Sequence, residues 1–313
     1  MIKNIIYLIL FIIPLIYVLL KDRELFQLKL IASIPILLIT FYFLRTLIFL
    51  PIYIFSLITA TYLYTIFFYI PFFIDLGFIV YSLLFHILPM KYLLFSISMA
   101  ILLSMFLDKN MESYARTNND KKGKNIKKEF YRDYFQIGTG VITILVFLYF
   151  GVNAKIIILF SILMIYLFGN MLYLHGQNKI AYLVYKMERD DTKLGLGSMY
   201  LASGFMLVLA FVNSLSLILL SAFILMIGDS LATIFGMKIR SKKLFYNKKK
   251  SIAGFAFMLI PSIIFGVFFI LYYYSIIYSL IGTISESLSN RIADDNITIP
   301  VSIVLIHFII TVL

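Results

Sequence analysis

Long apolar runs, separated by short polar turns, recur from one end of the chain to the other. About 20 consecutive apolar residues are enough for a helix to cross a bilayer. The pattern therefore predicts an all-α fold, a polytopic integral membrane helical bundle of about twelve transmembrane helices. The predicted helices span residues 5–20, 25–44, 47–70, 72–88, 92–107, 134–150, 155–174, 195–212, 214–235, 252–274, 276–289 and 299–313.

One long polar segment interrupts this pattern at residues 108–133. Asn118, Asn119, Asp120 and Gly123 give it the composition of a linker. We therefore expect N-terminal transmembrane helices of unknown role over 1–107, a cytoplasmic polar linker over 108–133, and a second membrane domain over 134–313.

Basic residues are concentrated in alternate loops. The chain is 62% hydrophobic and 13% charged, with a net charge of +12. Because loops rich in Lys and Arg stay in the cytoplasm, the loops at 108–133, 175–194, 236–250 and 289–298 are predicted to share the cytoplasmic face. The positive charge then fixes topology and meets anionic head groups or phosphates, and nucleic acid is not an expected partner. The absence of cysteine excludes disulfides and thiolate metal sites.

The first candidate site combines an acid in an apolar run with the basic loop that follows it. Asp229 interrupts the run 215–236, and an acid at the edge of a membrane span is costly without a partner or a function. Asp229 is a candidate Mg²⁺ ligand, since Mg²⁺ takes one or two carboxylates plus substrate phosphates. The alternative is a helix-packing motif before a solvated loop. The basic residues of the loop are Lys238, Arg240, Lys242, Lys243, Lys248, Lys249 and Lys250.

A second group of polar residues lies near the C-terminus. Glu286 stands in an otherwise apolar segment, and Asp295 and Asn296 precede a helix predicted to begin near Pro300. These residues offer oxygen ligands on the same predicted face, although Asp-Asn followed by Pro is also ordinary turn chemistry.

Three weaker candidates complete the set. The mixed-charge loop 188–198 is either a site or a capped surface loop. Arg132, at a helix entry, either grips phosphate or extends to the membrane surface. Asp75, near Pro71, is either catalytic or a helix cap, and the cap is the commoner role at a helix start. The chain has no Walker-type or kinase-type glycine loop, so nothing indicates a standard ATP site.

The ordered set of motifs resembles the CTP-dependent polyprenol kinase family of membrane enzymes, which includes dolichol, phytol and diacylglycerol kinases. The Asp-x-x-Ala-x-x-x-Gly element is here Asp229, Ala232 and Gly236. A lysine element follows at Lys249, Lys250, Ser251 and Gly254. Asp295, Asn296, Thr298 and Pro300, preceded by Glu286, match the C-terminal motif. The resemblance covers roughly residues 128–313. The chain departs from the family pattern at Asp133, Gln136 and Ala253.

The resemblance implies transfer of the γ-phosphate of CTP to the hydroxyl of a long isoprenoid alcohol such as dolichol, with Mg²⁺, at the cytoplasmic face of the cell membrane or endoplasmic reticulum. On this interpretation we assign Asp229 and Asp295 to the metal, and Glu286 is either the base for the lipid hydroxyl or, equally, a metal ligand. The remaining residues of the implied site bind the nucleotide: Lys243, Lys249, Lys250, Ser251, Gly254, Asn296 and Arg132. The sequence does not specify an oligomeric state.

Two other functions fit parts of the pattern. Cytidylyltransferases that make CDP-linked lipids share the Asp-x-x-Ala and Lys-Thr/Ser-x-x-Gly region, but the Asp295-Asn296 motif favours a kinase. A lipid transporter or flippase would suit many helices with buried acids, but it predicts internal inverted symmetry, which this sequence does not display.

Overall fold

The computed structural model describes residues 28–35, 37–38, 49–84, 86, 88–115, 126–174, 196–289 and 294–312, and within these ranges it is helical without a β-sheet. The all-α prediction is confirmed for this part of the chain. The first predicted helix and residues 188–195 of the loop 188–198 lie outside the described residues, and residues 196–198 belong to a helix. The named helices are α1 (Leu50–Thr61), α2 (Tyr69–Leu84), α3 (Met90–Ala115), α4 (Ile126–Phe150), α5 (Ala154–Leu174), α6 (Leu196–Phe211), α7 (Leu215–Ala222), α8 (Asp229–Lys238), α9 (Ile252–Val267), α10 (Tyr272–Leu288) and α11 (Asp295–Val312).

Four helical stretches of the described chain are long and apolar enough to cross a membrane. They cover Ile66–Leu84, Met90–Leu107, Glu129–Leu172 and Leu215–Lys238. Several others, such as α1, α6 and α9, are apolar but shorter than the usual length of a span. The described residues are thus compatible with a membrane protein, and they do not display the predicted bundle of twelve spans.

The chain divides into two compact units. The first contains residues 1–118 and 163–178, and the second contains residues 119–162 and 179–313. The division after Asn118 falls inside the predicted linker 108–133. The helices extend further into that linker than predicted, because α3 continues to Ala115 and α4 begins at Ile126. The apolar runs identify only the membrane-compatible parts of these two helices. Polar residues with good helix propensity extend both helices beyond those apolar parts.

In the first unit, the buried helix α1 packs against α2 and α3. Helices surrounded by lipid gain little from apolar contact alone, so close packing and polar contacts decide how they associate. Phe55 and Phe78 join α1 to α2, with ring centroids 5.6 Å apart. The Ser96 hydroxyl of α3 donates to the Phe49 carbonyl at 3.3 Å. These contacts fix three helices around one core.

In the second unit, α8 packs closely on α9, which in turn packs on α10, and α11 packs on both α10 and α6. The rings of Phe235 and Phe257 stack across α8 and α9, with centroids 4.0 Å apart. Gly254 permits the close approach of these two helices, because a Cβ there would lie 2.7 Å from the Ala232 carbonyl oxygen. The start of α9 is therefore held against α8.

Three further predicted helix boundaries are wrong. The chain turns at 62–65 rather than at Pro71, which lies in the first turn of α2, where proline is tolerated. α9 ends at Val267, before the predicted break near 275. α11 begins at Asp295 rather than at residue 299, so Pro300 lies inside the helix. In each case the sequence lacks a strong local stop signal, and tertiary packing decides where the helix ends.

Candidate functional site

Asp229 is the buried centre of a polar cluster in the second unit. It is 5% exposed and begins α8 directly after a turn of π-helix at Phe223–Gly228. Together with α7, these elements form one continuous helix over Leu215–Lys238. A π-helical turn adds residues to the normal α-helical repeat and is often found at functional sites. Here it changes the angular position of Asp229 relative to α7.

Gln136 of α4 holds Asp229 in place. Its side-chain amide Nε2 donates to Asp229 Oδ2 at 3.2 Å and to the Leu225 carbonyl, within the π-helical turn, at 3.1 Å. The other carboxylate oxygen, Asp229 Oδ1, is buried and has no hydrogen-bond partner. Buried polar atoms are nearly always paired, so this oxygen is a candidate ligand atom.

Lys250 connects the basic loop to two acids. Its Nζ forms an ion pair with Glu286 Oε1 at the end of α10 and lies 3.7 Å from Asp295 Oδ2 at the start of α11. Burial lowers the pKa of Lys250, but the nearby carboxylates of Glu286, Asp295 and Asp229 outweigh this effect and hold its pKa above the ordinary value. Lys250 therefore remains a cation at neutral pH. It interacts electrostatically with three acids that lie on three different helices.

Asn296 lies in the first turn of α11 rather than before the helix. Its backbone N–H donates to Asp294 Oδ1 at 3.2 Å and to Asp295 Oδ1 at 3.1 Å, and its side-chain Nδ2 also donates to Asp294 Oδ1, at 3.1 Å. The side-chain oxygen, Asn296 Oδ1, is buried and has no hydrogen-bond partner. It is the second oxygen in the cluster that is available to a ligand.

Arg132 supplies the other positive charge, and like Lys250 it is half-buried. Its Nη2 lies 3.5 Å from Asp133 Oδ1 on the same helix, and its charge also interacts with those of Asp295 and Asp229. Its Nε is buried and has no acceptor. A buried guanidinium N–H without an acceptor is suited to donate to an anionic ligand such as a phosphate oxygen.

The other predicted nucleotide-binding residues do not all reach the cluster. Lys249 is exposed, and so is Lys243, whose Nζ donates to the Lys249 carbonyl at 3.4 Å. Ser251 caps α9, with its hydroxyl accepting from the Gly254 N–H at 3.2 Å. Ser251 and Gly254 therefore shape the helix start in this structure, whereas Lys250, Glu286, Asp295, Asn296 and Arg132 converge around Asp229.

The basic loop is fixed to the end of α10. Asn247 Nδ2 donates to the carbonyls of Ser287 and Ser289, at 2.9 and 3.2 Å. The Tyr246 hydroxyl lies 2.7 Å from Ser287 Oγ. These contacts position Lys250 beside Glu286, and neither Tyr246 nor Asn247 is singled out by the sequence pattern.

The cluster contains more acidic than basic side chains. Asp133, Asp229, Glu286 and Asp295, with Glu129 beside Arg132, interact with two cations, Arg132 and Lys250. No three acidic or histidine side chains of the described chain form a complete metal centre. Two available oxygens among these acids nevertheless suit Mg²⁺, which prefers oxygen ligands and completes its shell with water and phosphate. The residues present therefore fit the metal implied by the resemblance.

Sequence reasoning treated Gln136 and Asp133 as departures from a family pattern and did not include them in the site. The available signal was helical spacing, because residues 132, 133 and 136 share one face of a helix. That spacing predicts that the three residues share a helix face, but it does not predict which distant helix packs against that face.

The chain is similar to the uncharacterized protein MJ1137 of Methanocaldococcus jannaschii, with 32% identity over 117 residues. The match covers 37% of this chain and 58% of that protein, so the chain spans little more than half the length of this curated relative. No family model matches the chain. No solved structure matches it either.

Proposed function

We propose that this protein is a CTP-dependent lipid kinase that transfers the γ-phosphate of CTP to the hydroxyl of a long-chain isoprenoid alcohol. The observation that supports this proposal most strongly is the convergence of Asp229, Lys250 and Asp295 from three separate segments. These residues belong to the motifs that resemble the polyprenol kinases. A buried cluster with two available oxygens and more acidic than basic side chains is suited to a metal-bound polyphosphate.

In this proposal, Asp229 and Asp295, with help from Asn296, hold Mg²⁺, which supplies charge neutralisation at the β- and γ-phosphates. Arg132 and Lys250 contact the phosphate oxygens. The exposed Lys243 and Lys249 attract the anionic nucleotide from solvent, because the electrostatic field of surface lysines extends well beyond the distance of a direct contact. Ser251 and Gly254 shape the loop through which the nucleotide enters.

The proposed reaction is an in-line displacement at the γ-phosphorus. The alcohol oxygen forms a bond to the γ-phosphorus, the bond between that phosphorus and the β–γ bridging oxygen breaks, and CDP leaves with the electron pair. Glu286 accepts the hydroxyl proton. Its ion pair with Lys250 orients the carboxylate for this role.

We also propose that the protein is a multi-pass membrane protein with about twelve spans. The cluster then opens to the cytoplasmic face of the cell membrane or of the endoplasmic reticulum. The four long apolar helices support membrane insertion. The basic loop beside the cluster supports a cytoplasmic site, because loops rich in Lys and Arg remain on that side.

The test uses the purified full-length protein in lipid-containing micelles, with CTP labelled at either the α- or the γ-phosphorus. Long-chain polyprenol and diacylglycerol are offered as acceptors, and ATP is compared with CTP as donor. We expect the γ-label to appear on the polyprenol and the α-label to stay in CDP. Transfer of the α-label with release of pyrophosphate would indicate a cytidylyltransferase instead.

The matched control is Asp229→Asn, which keeps the side-chain shape and removes the charge. Transfer should stop in this variant and when Mg²⁺ is chelated. Lipid movement across vesicles without any nucleotide turnover would contradict the kinase and support a transporter.

A further inference from the structure

A second buried acid lies in the first compact unit, which has no role in the proposed phosphoryl transfer. Asp75 is 3% exposed and lies in the interior of α2, within the candidate span Ile66–Leu84. The interpretation of Asp75 as a helix cap is therefore wrong. An ionisable residue inside a membrane span is expensive and is usually functional.

One oxygen of this carboxylate has a partner and the other has none. The Ser56 hydroxyl of α1 donates to Asp75 Oδ2 at 3.0 Å. Asp75 Oδ1 is buried and makes no hydrogen bond. A charged carboxylate satisfied by only one neutral hydroxyl is far from compensated for the loss of water.

Asp75 lines a small cavity within the same unit. The cavity has a volume of about 20 Å³, which is enough for one water molecule and too small for a lipid or nucleotide. Its walls are mostly carbon, from residues such as Phe68, Phe72 and Ile101. The Asp75 side chain therefore adjoins a space large enough for one water molecule.

No basic side chain of the described residues compensates Asp75. The buried Lys29 of this unit donates to Ser104 on α3. Tyr166, from α5, is the other titratable side chain that lines the cavity, and a tyrosine supplies no positive charge. Among the described residues, Asp75 therefore has the Ser56 hydroxyl as its polar partner and no cation.

We propose that Asp75 is a buried proton-binding site, which exchanges its proton with a water molecule in the adjoining cavity. In the protonated form, Oδ1–H donates to that water and Oδ2 accepts from Ser56, so both oxygens are satisfied and no charge is buried. On release, the O–H bond breaks, the water accepts the proton, and the carboxylate keeps the electron pair. The site is independent of the proposed kinase activity.

A proton suits this cavity better than a sodium ion. Sodium would require several oxygen ligands, but the Thr59 hydroxyl already donates to the Phe55 carbonyl and Ser56 already donates to Asp75. The remaining wall is largely apolar. A proton needs only the carboxylate and one water molecule.

The first test compares the thermal stability of the full-length protein with that of Asp75→Asn, from mildly acidic to mildly alkaline pH. An acid that is neutral in the fold but ionised in the unfolded chain makes stability fall as pH rises. We therefore expect the melting temperature of the wild type to fall by a few degrees relative to that of Asp75→Asn as pH increases. Thr59→Val, which changes the cavity without changing charge, should keep the wild-type slope.

Infrared spectroscopy provides the second test. The spectrum of the wild type minus that of Asp75→Asn should contain the carbonyl band of a protonated carboxylic acid at neutral pH, whether the buffer contains sodium or potassium. A carboxylate band that appears with sodium would identify sodium as the occupant and overturn the proposal. So would a stability difference that is constant with pH, or an Asp75→Asn variant that fails to fold at every pH.

Discussion

Gln136 shows how a single residue can determine the properties of a distant acid. Its amide donates to Asp229 and to the π-helical turn in front of it, so it fixes the carboxylate and leaves Oδ1 available. Residues that orient a metal ligand in this way usually affect affinity or activity strongly.

We expect Gln136→Leu to lower the activity of the proposed kinase by about 10- to 100-fold and to raise the Mg²⁺ concentration needed for half-maximal rate, because Asp229 loses its donor. Gln136→His, which replaces the amide donor with a ring N–H donor, should retain most activity. The measurement is initial rate against Mg²⁺ concentration. Equal loss in both variants would contradict a positioning role.

Lys249 and Lys250 are adjacent lysines in different environments. Lys250 is paired with Glu286 and Asp295, whereas Lys249 is exposed. Lys250→Gln should reduce turnover by more than about 100-fold, because losing one partner leaves buried charges uncompensated. Lys249→Gln should remain within a few-fold of the wild type, since exposed charges contribute little. Similar losses in the two variants would contradict this assignment of the phosphate contact.

The raised pKa of Lys250 predicts how its contribution to stability varies with pH. The folded pKa exceeds the unfolded value, so the stabilisation is fully present below about pH 10.4 and is lost only above it. The difference in melting temperature between the wild type and Lys250→Gln should therefore be constant from neutral to mildly alkaline pH. A difference that shrinks near pH 8 would show that Lys250 loses its proton earlier.

At the scale of elements, close helix packing brings the parts of the cluster together. α8 carries Asp229, and α9 follows directly on Lys250 and Ser251. Because a Cβ at Gly254 would lie 2.7 Å from the Ala232 carbonyl oxygen, the spacing of these helices depends on this glycine. The same glycine belongs to the motif that resembles the nucleotide-binding element, so sequence alone cannot separate packing from binding.

We expect Gly254→Ala to destabilise the protein by about 1–3 kcal/mol through overpacking. Gly138→Ala is the matched control, because nothing lies within 4 Å of a Cβ at that position in α4, and replacing a helical glycine there should stabilise by about 0.5–1 kcal/mol. Thermal unfolding measures both changes. Unchanged stability with weaker nucleotide binding in Gly254→Ala would favour a binding role instead.

At the scale of the whole molecule, the distribution of charge predicts one topology. The loops that contain Lys248 and Asn119 should face the cytoplasm, and the turn at Val152 should face the opposite side. Because the chain has no cysteine, single cysteines can be introduced without removing any background thiol.

A membrane-impermeant maleimide should label Lys248→Cys and Asn119→Cys only in inverted vesicles. Val152→Cys should be labelled only in right-side-out vesicles. Phosphoryl transfer by each variant provides the control for correct folding. Labelling of Lys248→Cys and Asn119→Cys from opposite sides would contradict the predicted topology.

Most of the residues in the cluster can be found from the sequence, because an acid such as Asp229 or Glu286 is conspicuous in an apolar run. The sequence does not show which lysine of the 236–250 loop reaches the acids, because these lysines are chemically identical and differ only in where the folded loop places them. Asn247 and Tyr246 make that choice by fixing the loop to α10. The start of α11 also differs from the prediction, because Pro300 predicts a helix start near residue 299 whereas the helix begins at Asp295.

The sequence by itself determined the helical class, the abundance of membrane-compatible segments and the chemical types in the cluster, because hydrophobic runs and isolated charges are local properties. Tertiary structure alone decided that Gln136 meets Asp229, that Lys250 pairs with Glu286, and that Asp75 lies beside a small cavity and the Ser56 hydroxyl. Such pairings depend on how distant helices pack, and packing is set by shape and by buried polar contacts that no short stretch of sequence contains.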